Sequence, residues 1–129
     1  MTEFYLERAP KTLDLILCGG HDFNNRERVS RLMDHLNTGH NYVGALRMPA
    51  HTGAPLHAAW WAKQHDVEVL YVPAQTRSWR ARLQVNHRLL HMCDPKDSVV
   101  VLFPGKFVTT QHMFAEAERL GFQVLPVEV

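Results

Sequence analysis

Residues 98–110 read SVVVLFPGKFVTT, and QHMFAEAERLG (111–121) follows. SVVVLF (98–103) is an unbroken apolar run after its first position, β-branched and aliphatic up to its closing phenylalanine. It has no wet face, so it predicts a strand covered on both sides, as in a parallel sheet. Pro104-Gly105 ends that strand. Beyond it, Met113, Phe114, Ala117 and Leu120 recur at helical spacing, are expected to point inward, and Gly121 can stop the helix. A strand, a tight turn and threonines opening a helix also make a common phosphate-holding arrangement, because the free N–H groups and partial positive charge at a helix start suit anions.

The same strand–turn–helix order repeats along the chain. LDLILC (13–18) is a nearly continuous apolar strand, after a stretch (1–11) that is irregular or a short edge element. In the helix that follows, Val29, Leu32, Met33 and Leu36 share a face, Asn24 or Asn25 can cap its start and Gly39 can end it. YVGALRM (42–48) is a second strand, APLHAAWWAKQH (54–65) a helix, and VEVLYV (67–72) a third strand. RARLQVNHRLLHM (80–92) is a helix with Val85, Leu89 and Met92 on one stripe, and FQVLPV (122–127) is the last strand. Five strands alternating with helices predict a three-layer α/β Rossmann-like fold: a five-stranded, mainly parallel sheet with helices on both faces. No repeat, linker or low-complexity stretch divides the chain, and 129 residues suit a single domain.

Composition narrows the classes. The formal net charge is +1, which gives no general electrostatic reason to expect nucleic acid. No apolar run reaches membrane-spanning length, and MTEFYLERAPK has acidic residues without the apolar region of a secretory signal. No membrane partner and a cytoplasmic location are therefore expected. Cys18 and Cys93 follow no metal or disulfide spacing, and Cys18 reads as a reduced core residue. Among nine histidines, His87 and His91 are four apart and His51 precedes the helix holding His57. Cysteine or carboxylate companions at motif spacing are missing, so neither a metal site nor a cofactor is expected.

In an open α/β sheet, ligands bind beyond the carboxyl ends of the strands. Those ends carry GGHDFNN (19–25), PAHTGAP (49–55), PAQTRSW (73–79) and PGKFVTT (104–110). Candidate ligand contacts are Gly19, Gly20, His21, His51, Gly53, Gly105, Lys106, Thr109 and Thr110. Gly105 would let backbone approach a phosphate, Lys106 would add charge, and the threonines would donate hydroxyl and N–H groups; equally, Thr109 or Thr110 would serve as a plain helix cap. Asn86 lies inside a helix, where asparagine is unfavourable without a reason, so it either bonds a ligand or ties the helix to a loop backbone. Arg77, Arg80 and Arg88, with Gln84, form a polar stripe that can steer a phosphate or stay solvated.

Taken together these loops resemble the YAcAr-type family of the SLOG superfamily, which is related to the lysine-decarboxylase-like Lonely guy proteins. The resemblance runs over about residues 13 to 127. It rests on Gly19, Gly20 and Phe23, with His21 where the family has arginine; on Gly53, Ala54, Trp61 and Ala62, with Pro55 where it has an acid; and on Pro73, Ala74, Trp79 and Asn86, with Val85 in place of arginine. The fourth element keeps Phe103, Pro104, Gly105 and Thr110, but Lys106, Phe107 and Val108 crowd its middle and Thr109 stands at a glycine position. The resemblance implies binding of a nucleotide or nucleotide-derived ligand at the carboxyl edge of the sheet. It also raises, as an alternative, hydrolysis of the N-glycosidic bond of nucleoside 5'-monophosphates. That chemistry needs a carboxylate. His112 replaces one family acid and Pro55 another, which leaves Asp22 and Glu116 as weak catalytic candidates, and Asp22 can instead cap the first helix. A third reading is a non-catalytic subunit. Adjacent Trp60 and Trp61 cannot both face the sheet, and Trp60, near Leu56 and Lys63, is a candidate homo-oligomer contact.

Overall fold

The structure, a computed structural model, describes residues 11–20, 23–37, 41–49, 52–104 and 108–127. The strands are β1 (Lys11–Gly19), β2 (Asn41–Met48), β3 (Glu68–Tyr71), β4 (Ser98–Phe103) and β5 (Gln123–Pro126). The helices are α1 (Arg26–Leu36), α2 (Gly53–Gln64), α3 (Trp79–His91) and α4 (Val108–Arg119). All strand pairings are parallel, in the order β3-β2-β1-β4-β5. The Rossmann-like three-layer architecture expected from the apolar strand runs is present, and the sheet is parallel throughout.

Alternation along the two central strands builds two cores. Leu15 and Leu17 of β1 and Val99, Val101 and Phe103 of β4 face α1 and α2, where Val29, Met33, Ala54, Ala58, Trp61 and Ala62 cover them. Ile16 and Cys18 of β1 and Val100 and Leu102 of β4 face α3 and α4, where Val85, Leu89, Leu90, Met113 and Ala117 cover them. Every residue of β4 is buried, which is why SVVVLF shows no polar alternation. Each fully buried aliphatic side chain contributes roughly 1.5–3 kcal/mol before chain entropy is set against it.

Local signals account for most element ends. The Asn25 side chain accepts a hydrogen bond from the Arg28 N–H, so Asn25 rather than Asn24 caps α1. Ser78 caps α3 in the same way through the Ala81 N–H. Gly121 ends α4 with φ +83°, a conformation that disfavours other side chains. Three expectations change. Phe114 is 40% exposed, because Met113, Ala117 and Leu120 already set the inward line and Phe114 falls to its flank. Met92 is 46% exposed because it is the C-cap of α3, beyond the packed turns, and Leu90 takes the core position. The helix after β4 begins at Val108, so Thr109 and Thr110 sit within its first turn and are not its cap. Gly39 and residues 1–10 lie outside the described residues.

The chain leaves β1 toward β2 and β3, then returns across the sheet to β4 and β5. The order therefore reverses between β1 and β4. The connections on either side must leave a crevice there, above the carboxyl ends of the two strands.

Candidate ligand-binding site

A cavity of about 550 Å³ occupies that crevice. Its floor is Cys18 and Gly19 at the end of β1. Val85 and Asn86 of α3 and Thr109 and Thr110 of α4 form one wall, and Pro49, Thr52 and Pro55 come from the connection into α2. Tyr71, Pro73, Ala74, Thr76 and Arg77 extend it over the end of β3, and Arg82 reaches in from α3. β3 and β4 are three strand positions apart. At ~4.8 Å per strand the cavity thus reaches across roughly 14 Å of sheet edge. Its described lining holds two arginines and no carboxylate.

The glycines explain how the floor is made. Gly19 and Gly20 have φ +79° and +67°. A Cβ on Gly19 would stand 2.4 Å from the Phe103 carbonyl oxygen, and one on Gly20 would stand 2.6 Å from Phe103 Cβ and 2.8 Å from Ala54 Cβ. The Gly20 N–H donates to the Pro104 carbonyl at 3.1 Å, and its own carbonyl accepts from the N–H groups of Phe23 and Ala54, each at 2.9 Å. The pair is a knot joining the ends of β1 and β4 to the start of α2. Gly19 lines the cavity, whereas Gly20 and Gly53 are not among its lining residues and serve backbone geometry.

Asn86 is 3% exposed, one of the two buried polar residues among those described. Its Nδ2 donates to the Thr109 carbonyl at 2.9 Å and lies 3.2 Å from His112 Nδ1. Both Nδ2 hydrogens are thereby used, so the neutral His112 ring accepts at Nδ1. Asn86 thus ties its helix to the first turn of α4 rather than, as expected, to a loop backbone, and it also borders the cavity. It fixes the first turn of α4, whose N–H groups lack partners within the helix.

Behind Asn86, away from the cavity lining, lies a second polar group. His87 meets the His112 ring edge-on with centroids 5.1 Å apart, and its Nδ1 is 3.8 Å from Glu116 Oε2. Glu116 also accepts from Arg119 Nη2 at 2.6 Å and Nε at 3.1 Å. The Arg119 hydrogen bond holds the Glu116 carboxyl below its ordinary value, so it remains a carboxylate. Burial first, and His87 second, pull His112 below the ordinary histidine value, against the opposing pull of Glu116. Burial pushes the Cys18 thiol up to about 12, which leaves it protonated and inert.

Of the sequence candidates, Gly19, Asn86, Thr109 and Thr110 come together at the cavity. His21, Asp22, His51, Gly105 and Lys106 lie outside the described residues. Glu116 is directed into its pairing with Arg119 and is not among the cavity residues. The arginine stripe does not act as a unit: Arg77 lines the cavity, Arg80 lies over the Trp79 ring 5.7 Å from its centroid, and Arg88 is exposed on α3. Sequence reasoning missed Arg82 and Tyr71. The signal for Tyr71 was its place at the end of β3, on the edge where ligands bind.

No family model matches the chain, and no curated protein matches it. Among the described residues no helix is long and apolar enough to cross a membrane.

Proposed function

We propose that this protein binds a nucleotide or nucleotide-derived ligand at the carboxyl edge of its sheet, as a divergent relative of the YAcAr-type proteins. The observation that carries the reading is the cavity at the β1/β4 reversal. It has the first turn of α4 on one side and an aromatic ring and two prolines on the other, with arginines and no carboxylate in its described lining. The helix start and the Thr109 and Thr110 hydroxyls suit a phosphate. Arg77 and Arg82 add positive charge to the cavity lining, which favours an anionic ligand. Tyr71, Pro49 and Pro73 offer apolar surface to a base.

The hydrolase alternative has less support. Glu116, bonded to Arg119 and absent from the cavity lining, is poorly placed to activate water beside a bound sugar. The exposed Leu56 and Trp60 of α2 keep a self-association surface in view, although the Arg26 guanidinium, 4.6 Å from the Trp60 centroid, already covers part of that ring.

A thermal-shift screen with mononucleotides, NAD, ADP-ribose and cyclic dinucleotides tests the proposal. A ligand at 100 times its Kd adds about 2.7 kcal/mol, several degrees for a domain of this size. The expected result is a shift from at least one phosphate-bearing compound that shrinks in Arg82→Ala and Thr110→Val. No shift across the panel would refute the reading, and self-association abolished by Trp60→Ser would then favour the interaction subunit.

A further inference from the structure

His87, His112 and Glu116 have no task in the binding site just described, yet they converge. One ligand-capable atom from each lies within 4.8 Å of the others, and all three side chains are partly buried. His112 and Glu116 are four residues apart on α4, so they project from one helix face. His87 comes from α3, which packs against α4 on the same side of the sheet. No motif spacing along the chain joins these three; the α3–α4 contact does.

We propose that His87, His112 and Glu116 bind a divalent transition-metal ion of the zinc class. Two imidazoles and one carboxylate match that class, whereas magnesium and calcium prefer oxygen ligands throughout. Bonds of about 2.1 Å in a tetrahedral site place ligand atoms about 3.4 Å apart. The 3.8 Å between His87 Nδ1 and Glu116 Oε2 is close to that spacing before any ion draws them in. Three protein ligands leave the fourth position to solvent or a small anion. Arg119 already holds the Glu116 carboxylate, and the Asn86 amide sits beside His112 Nδ1.

Asn86 engages Nδ1 of His112, so Nε2 is the nitrogen that meets the ion. Ligation there moves the ring proton to Nδ1. Asn86 must then turn its amide so that Oδ1 accepts from Nδ1–H, which releases the Thr109 carbonyl. Occupancy of the metal site is thereby linked to the first turn of α4, at the cavity wall.

The test is a titration of the full chain with Zn2+ alone, and with Co2+ as its spectroscopic stand-in. The expected result is one ion per chain and the visible absorption of four-coordinate Co2+. Affinity should fall roughly tenfold or more in both His87→Gln and Glu116→Gln, and stay unchanged in His65→Gln, which alters a histidine stacked on Trp61. In parallel, the Asn86 side-chain amide resonance should move on addition of Zn2+. Failure to bind one ion, or equal affinity in the His87 and Glu116 variants, overturns the proposal. His87 is 41% exposed, so its variant is expected to fold, and circular dichroism checks this directly.

Discussion

The two faces of the sheet are covered by similar helix pairs but differ in what they bury. Under α1 and α2 the core is apolar apart from the half-buried His57, whose Nε2 is shielded from solvent beside Arg26. Its largest side chain, Trp61, spends its one polar atom on Asp34 at the boundary, with Nε1 donating to Oδ1 at 2.8 Å. Under α3 and α4 the core is apolar only as far as Asn86. From there a chain of polar groups runs through His112 and His87 to Glu116 and Arg119. A buried amide and a half-buried histidine pair cost desolvation that an aliphatic side chain would not. They are kept on the face whose helix starts border the cavity. The α3–α4 face thus carries the larger connected set of polar side chains, and its Asn86 end borders the cavity.

Trp61→Ala should cost about 3–5 kcal/mol, since it empties a large packed volume. Urea unfolding measures that loss, and ligand affinity in the folded fraction should stay within about twofold. Gly20→Ala strikes the knot between the faces. A Cβ 2.6 Å from Phe103 Cβ at φ +67° combines overpacking with backbone strain, and the expected loss is about 2–4 kcal/mol. On the polar face, Asn86→Ala should cost less, about 1–3 kcal/mol, because the Thr109 carbonyl and His112 Nδ1 lose their donor. Unlike Trp61→Ala, it should also weaken nucleotide binding, because the α4 turn loosens.

The polar face should also show in the pH dependence. His112 is held below its ordinary value of 6.5, so the unfolded chain takes up a proton that the folded chain resists. Its contribution is complete above pH 6.5 and is lost as pH falls through 6.5 toward the lower folded value. His57, lowered by burial and then by Arg26, acts in the same direction. The Tm should therefore decline on acidification below about 6.5, and His112→Gln should flatten part of that slope. Glu116, whose carboxyl is held low, adds a separate loss at more acidic pH. The smallest effect expected is at Cys18. Its thiol should resist alkylation at pH 8 in the native state and react once the chain is unfolded in urea.

The layered fold was legible because it depends on local pattern: LDLILC and SVVVLF can only be strands covered twice, and Val29/Met33 and Met113/Ala117 can only be inner helix faces. Phe114 and Met92 misled because periodicity sets a helix stripe without saying where the partner surface ends. Within the site, Gly19, Thr109, Thr110 and Asn86 were legible from the strand-end rule and from the cost of asparagine inside a helix. Arg82 was not, since an arginine on a helix looks the same whether it faces solvent or a crevice. The His87–His112–Glu116 group was invisible for a different reason. It is made by two helices packing side by side, and His87 is separated from the others by the whole of β4.

Nucleotide binding at the sheet edge is tested by a titration of isotope-labelled protein with AMP and ADP-ribose, followed by amide chemical shifts. Binding in the β1/β4 crevice predicts saturable shifts at Gly19, Thr109, Thr110, the Asn86 side chain and the loop carrying Arg77, with Trp60 and Leu56 unmoved. The absence of shifts at millimolar ligand, or shifts gathered around Trp60, would contradict it.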